Sequence, residues 1–345
     1  MRLVIHAGFH KTGTSSIQHA LSQYSGQQIL VVHFGGENQS IPIINAFAKE
    51  PEKNRINLRR GLTKSDLFEE KIAIRQSLSA QLESATECAV LSGEGISMLH
   101  LDELEAFQKF VEPYCSDIQV LVYVRPVISY MESTLQENVK AGVARFDARG
   151  LLPHYKRRLQ ILSQVFGRQS VNVRLYEKQK LIGQDVVADF FSFLGVPYRG
   201  PRLKPRNLGL SSQAVKILYC YWKLGPGYGS GEEASRKNHK LIRVLGGLRS
   251  EPLTLSRQLF EPLMDFLEEE QAWICEHFGL DIKGDGEAPA NSASAIGSET
   301  DMYQLSRESL DWLALQSGQT LNVSQCSEDL IREVAQACDV LRNSL

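Results

Sequence analysis

The sequence predicts an α/β fold: a three-layer sandwich with a central parallel sheet flanked by helices, plus a small helical C-terminal extension. Three observations predict it. Apolar, strand-like runs alternate with segments of helical apolar spacing, the pattern of βαβ units and of a sheet covered on both faces. The opening strand enters a tight glycine-, serine- and threonine-rich loop and then a helix, as a P-loop-like nucleotide-binding architecture does. A chain of 345 residues, 43% hydrophobic and 23% charged, suffices for one large domain with an appendage.

The elements follow in order. The apolar run around Val4 and Ile5 is the first strand, and the run from Ile17 to Leu21 starts the helix after the loop. Residues 28–34 read as a second strand, closed by the polar turn 35–40. Leu67, Ile72, Ile74, Leu78 and Leu82 give residues 65–83 a helical period. Residues 88–91 run apolar into Ser92-Gly93-Glu94-Gly95, and 117–124 is the clearest buried strand, ending in Arg125-Pro126. Residues 170–176 alternate as a strand, and 185–194 form an amphipathic helix stopped by Gly195 and Pro197. A helix over 212–224 gives way to the turn 225–231, and helices resume through Phe278. The small, polar stretch 283–300 reads as a linker between a domain over 1–282 and a helical extension over 301–345. In the extension, 302–316 and 327–341 are amphipathic, the second with Leu330, Ile331, Val334, Cys338 and Leu341 on one face. Two short helices bury little surface alone, so these are expected to dock on the main domain, on a protein partner, or on a second copy.

The totals narrow the function classes. A formal net charge of −2 gives no whole-chain attraction to nucleic acid or to an anionic membrane, so any anion site must be local. Six cysteines are scattered, without a C-x-x-C pair, as expected of buried thiols in a reducing compartment. No apolar run approaches the roughly 20 residues of a membrane span. The opening lacks the charged and apolar regions of a signal peptide. The sequence therefore reads as cytoplasmic.

Two constellations carry chemistry. In the first, Gly8 and Gly13 have the glycine spacing of a Walker A loop, but Thr14 stands where the Walker lysine would be. Lys11 lies two residues before the second glycine, so the cation has moved to the other side of the turn. The glycines admit backbone amides close to an anion, and the helix N-terminus adds a positive dipole end. In the second, Arg125 ends a buried strand and Ser133 follows eight residues later on the next helix, which would return it toward Arg125. That carboxyl edge is where open α/β sheets bind ligands, and an arginine fork with a hydroxyl suits a second phosphate.

Together these segments resemble the sulfotransferases that use 3′-phosphoadenosine-5′-phosphosulfate. In that family a K-[ST]-G-[TS]-[TS] loop holds the 5′-phosphosulfate, and Lys11-Thr12-Gly13-Thr14-Ser15 is similar to it, with Ser16 following. An Arg and a Ser eight apart hold the 3′-phosphate, as with Arg125 and Ser133. The bacterial branch is the most similar. Its H-x-G-x-H-K-T-G-T opening matches residues 6–14, and its later motif is matched by Tyr123-Val124-Arg125, Glu132-Ser133, Gln136 and Val139-Lys140-Ala141-Gly142. Leu175-Tyr176-Glu177 also looks like the family's fourth strand end. The resemblance covers about residues 1–282. It breaks at Pro126, which directly follows the arginine, and at the R-K-G-x-x-G loop, which is absent. Arg206 and Asn207, in the basic stretch 204–209, are the candidates for that loop's part in binding the co-substrate.

The resemblance implies a metal-independent, in-line sulfuryl transfer to an acceptor hydroxyl, with a carbohydrate or glycolipid as the favoured small-molecule or glycan acceptor. Lys11 would stabilise the charge that builds on the leaving oxygen. Glu94, at a third strand end, is the candidate base, with His10 and His6 as the alternatives. His10 would also touch the sulfuryl oxygens, and His33 would line the acceptor cleft. The acceptor pocket is expected from segments 34–60, 140–156 and 225–240, which hold Arg145, Arg149, His154, Tyr228 and His239. Two other classes stay open on the residues alone: a P-loop nucleotide kinase or NTPase, and a non-catalytic nucleotide-binding interaction protein.

Overall fold

The computed structural model describes residues 1–9, 11–198, 200, 209–229, 231–283, 295–321 and 328–344. Five strands are β1 (Arg2–His6), β2 (Leu30–Val31), β3 (Cys88–Ser92), β4 (Asp117–Val124) and β5 (Val171–Leu175). They form one parallel sheet in the order β2-β3-β1-β4-β5. The helices are α1 (Thr14–Ser22), α2 (Ser40–Phe47), α3 (Arg55–Arg60), α4 (Lys64–Ser84), α5 (Leu101–Val111), α6 (Val127–Lys140) and α7 (Tyr155–Phe166). They continue as α8 (Val186–Leu194), α9 (Ser212–Leu224), α10 (Gly231–Leu245), α11 (Arg257–Phe260), α12 (Met264–Phe278), α13 (Arg307–Ser317) and α14 (Glu328–Ser344).

The described residues divide into two compact units. One is drawn from Met1–Pro126, His154–Arg206 and Glu270–Ile282, the other from Val127–Pro153, Asn207–Glu269 and Lys283–Leu345. This division does not follow the expected domain over 1–282, because the second unit takes chain from both sides of residue 283.

The first unit holds the sheet. From β1 the chain steps outward to β2, then moves the opposite way through β3, β4 and β5. Right-handed crossovers therefore put α1 on one face and the helices leading to β3, β4 and β5 on the other. On the α1 face, Val4, Val90, Leu121 and Tyr123 meet Ile17 and Leu21 of α1 and Phe190, Phe191 and Leu194 of α8. The alternate residues Leu3, Ile5, Leu91, Val120 and Val122 are equally buried, so the sheet is apolar on both faces. A buried polar knot ties α8 to this core. Asp189 accepts from Tyr123 Oη at 2.6 Å and from Arg174 Nη1 at 2.6 Å. Local signals set the helix ends. Thr63 and Asp66 form a capping box on α4, and Asp185 caps α8, which stops at left-handed Gly195.

The expected strand over 28–34 is cut to Leu30–Val31, paired with Ala89 and Val90. The cause lies in α4. The His33 N–H donates to Gln81 Oε1 and the His33 carbonyl accepts from Gln81 Nε2, both at 3.0 Å. Gln39 Oε1 then takes the Phe34 N–H at 3.0 Å. These side chains satisfy the backbone that a longer ladder would have used.

The second unit is helical. Its centre is α9, whose residues 214–222 are all buried, apolar for the most part with Lys216 among them. Helix α14 lies along α9 and packs against α13 and α10. Its expected apolar face is buried at Leu330, Val334, Cys338 and Leu341, so the extension docks back on the chain. Within the expected linker, residues 284–294 lie outside the described residues. Ile296 is fully buried and bridges Leu255, with its N–H donating to the Thr254 carbonyl at 2.9 Å. It is the one large apolar side chain of that stretch, and it binds the C-terminal part of the stretch into the unit. Glu299 adds a clamp, its Oε1 accepting from Tyr219 Oη at 2.7 Å and Lys223 Nζ at 2.7 Å.

Candidate active site at the carboxyl end of the sheet

In the first unit, three strand ends converge on the loop after β1. The loop keeps the sheet's last bond through Ala7 N–H, which donates to the Leu121 carbonyl at 3.2 Å. It then turns twice through left-handed backbone, at Lys11 (φ 67°) and at Gly13 (φ 77°). Left-handed geometry is costly for a lysine. Thr12 is fully buried and donates its hydroxyl to the Phe9 carbonyl at 2.6 Å, so this side chain staples the loop. Gly13 is the N-cap of α1 and supplies no side-chain cap, which leaves the first-turn amides of Thr14 and Ser15 facing out of the helix. A β-carbon at Gly13 would lie 2.8 Å from both Tyr176 Cε2 and Val186 Cγ1. Thr14 is buried, and its Oγ1 has no hydrogen-bond partner among the described residues. Ser15 is exposed and Ser16 half-buried.

The adjacent strand end carries Glu94. Parallel register pairs His6 with Ser92, and His6 Nδ1 lies 2.8 Å from Ser92 Oγ. The Gly93 N–H donates to the His6 carbonyl at 3.1 Å, and Glu94 then opens the short 3-10 turn Glu94–Met98. That turn is fixed from two sides. Ser97 Oγ donates to the Glu94 carbonyl at 2.9 Å, and the Gly95 N–H donates to Ser40 Oγ at 2.9 Å. Glu94 is half-buried. His6 is fully buried, and burial lowers its pKa to about 4, with Glu94 pulling it partly back up. A ring so enclosed and neutral is a poor candidate for meeting an acceptor, so as an alternative base His6 is disfavoured.

Arg125 closes the other side. Its N–H donates to Tyr155 Oη at 3.1 Å, and the same hydroxyl donates to its carbonyl at 3.0 Å. Tyr155 also stacks on Phe9 of the loop, with ring centroids 5.2 Å apart. The Arg125 guanidinium donates from Nη1 to the Lys11 carbonyl at 3.4 Å and sits 5.9 Å from the Tyr176 ring centre. The structure thus brings Lys11, Arg125 and the Glu94 turn to one edge of one sheet, where ligands of open α/β sheets bind. Tyr155 and the Ser40 hydroxyl were invisible to motif reading, because their roles depend on contacts distant in sequence.

The other candidates are each described in their own surroundings. Ser133 is half-buried on α6, in the second unit. Its motif neighbours there have structural partners: Glu132 Oε1 accepts from the Leu255 N–H at 3.2 Å, and Gln136 bonds both the N–H and the carbonyl of Leu210. Gly142 has φ 87°, and Tyr228 packs directly over it. Arg145 pairs with Asp147 at 3.3 Å, and His33 and His239 are exposed. His10, Arg206 and Asn207 lie outside the described residues. Among the described residues no cluster of three or more His, Cys, Asp or Glu side chains could hold a metal, and no helix is long and apolar enough to cross a membrane.

No protein-family model and no curated protein sequence matches this chain. Among solved structures, a sulfotransferase from Alicyclobacillus acidocaldarius is similar with a TM-score of 0.42 and 15% identity, over 81% of this chain and 96% of that one. A sulfotransferase domain from the curacin biosynthetic pathway is similar with a TM-score of 0.36 and 14% identity, over 59% of this chain and 80% of that one.

Proposed function

We propose that this protein transfers a sulfuryl group from 3′-phosphoadenosine-5′-phosphosulfate to an acceptor hydroxyl, with a carbohydrate or glycolipid as the favoured acceptor class. The observation that carries the reading is the pairing of loop and second cation. Lys11 sits in a left-handed turn whose carbonyl is held by the guanidinium of Arg125. Two cations on separate strand ends suit a donor with two separated anionic groups. The residues present fit the 5′ end of that donor. Gly13 leaves the helix N-terminus uncapped, and Thr14 offers a buried hydroxyl without a partner among the described residues.

In the reaction the acceptor oxygen attacks sulfur, and the bond from sulfur to the bridging phosphate oxygen breaks. The products are a sulfate ester and adenosine 3′,5′-bisphosphate. The acceptor's proton goes to the carboxylate of Glu94, and Lys11 offsets the charge growing on the leaving oxygen. The reading is tested by mass-spectrometric detection of donor turnover against a panel of hydroxyl acceptors. Lys11→Ala is expected to lose about 10²–10³ in rate. Full activity in Lys11→Ala would overturn the role of the lysine. Magnesium-dependent ATP turnover without sulfuryl transfer would favour the kinase class instead.

A further inference from the structure

We infer that His6 is a positioning residue for Glu94, a wedge that fixes the carboxylate's turn against the anion loop. The inference rests on the reading of Glu94 as the group that takes the acceptor's proton. Two of the bonds that tether the chain just before Glu94 go to His6, between the Gly93 N–H and the His6 carbonyl at 3.1 Å and between Ser92 Oγ and His6 Nδ1 at 2.8 Å, while the Ser92 carbonyl accepts from the Gln39 N–H at 3.1 Å. β1 therefore supplies one of the holds that set the direction in which Glu94 leaves the sheet, and the only one made by an imidazole among the described residues. The Cε1 atom, next to Nδ1 in the ring, faces the loop. A β-carbon placed on Gly8 would lie 3.3 Å from His6 Cε1 and 2.5 Å from Thr14 Oγ1. Through the adjacent atoms Nδ1 and Cε1 the ring thus meets both Ser92, which leads into the Glu94 turn, and the loop.

A polar ring is an expensive choice for this position. His6 is fully buried against Phe190 and Tyr123, with ring centroids at 5.2 and 6.0 Å, and its Nε2 has no hydrogen-bond partner among the described residues. An apolar side chain of similar shape would pack there without that cost. What the imidazole adds is the Nδ1 contact to Ser92, and through it a fixed start for the Glu94 turn.

The test compares His6→Phe, which fills the space without a polar atom, with His6→Asn, whose amide can still reach Ser92. Carbon NMR of the labelled Glu94 carboxylate reads the local geometry without turnover, so its outcome is distinct from failure of the sulfuryl-transfer reading. His6→Phe is expected to shift the Glu94 carboxylate resonance from its wild-type position, and His6→Asn to return most of that shift. With saturating donor, His6→Phe should lower kcat about tenfold while the Kd for adenosine 3′,5′-bisphosphate stays within about twofold. In a Glu94→Gln background the same substitution should cost less than about twofold in kcat. An unmoved Glu94 carboxylate resonance in folded His6→Phe overturns the inference. So does a kcat loss that multiplies fully with Glu94→Gln. If wild type neither binds the bisphosphate nor transfers a sulfuryl group, the functional reading fails while the NMR arm still decides the role of His6.

Discussion

The guanidinium of Arg125 donates to the backbone carbonyl of Lys11 across 3.4 Å, so the residue closing β4 also braces the loop that leaves β1. Its own backbone is locked on both sides by one hydroxyl, that of Tyr155. A side chain held this way gives an anion a preoriented fork, and a lysine in its place gives a point charge without the fork. Charge-assisted hydrogen bonds of this kind contribute about 1.5–3 kcal/mol. Arg125→Ala is expected to weaken binding of adenosine 3′,5′-bisphosphate by about 10- to 100-fold in calorimetric titration, with Arg125→Lys recovering only part of the loss. Binding that survives unchanged in Arg125→Ala would remove Arg125 from the donor site.

Lys11 and Gly13 share left-handed backbone but differ in whether the side chain suits it. At Gly13 a methyl group would meet strained backbone and two neighbours 2.8 Å away, Tyr176 and Val186. Gly13→Ala should therefore destabilise by about 1–3 kcal/mol in urea unfolding, more than the backbone term alone. At Lys11 the strain is already present, so Lys11→Gly should gain about 0.5–1 kcal/mol of stability while losing the rate that the ammonium supports. A neutral or destabilising Lys11→Gly would show that the turn is not strained by its lysine.

Much of this was legible in the sequence where a residue's role depends on its neighbours in the chain. The strand over Asp117–Val124 and the helix over Ser212–Leu224 were read to the residue, because predominantly apolar runs end at Arg125-Pro126 and at Gly225. The loop was legible through its glycines and its displaced lysine. What sequence could not supply were pairings across the fold. The second strand ends early because Gln81, 48 residues on, takes the backbone of His33. The polar stretch before residue 300 looked like a linker, and Ile296 and Glu299 turn its end into part of a packed unit. His6 read as one of two alternatives to Glu94 as the base. Only its register with Ser92 shows that it anchors the turn carrying Glu94.

That buried histidine also predicts a pH dependence of stability. In the folded protein its pKa is about 4, against 6.5 for an ordinary histidine, and burial is the larger cause. The folded value is depressed, so between these two limits the unfolded chain binds a proton that the folded chain does not. The associated stability is fully present above about 6.5 and is lost as pH falls toward about 4, amounting to roughly 3 kcal/mol at the full extent. His6→Asn cannot titrate and lacks this term. Urea unfolding of both proteins from about pH 7.5 down to 4 isolates it, because carboxylates such as Asp66 and Glu299, whose pKa values hydrogen bonding lowers in the fold, contribute equally to both and cancel in the difference. The wild type should lose ground to His6→Asn steadily below about pH 6.5. Parallel stability curves for the two proteins would mean that the imidazole takes up its proton without opening the core, and the enclosure of His6 beneath the anion loop would then be wrong.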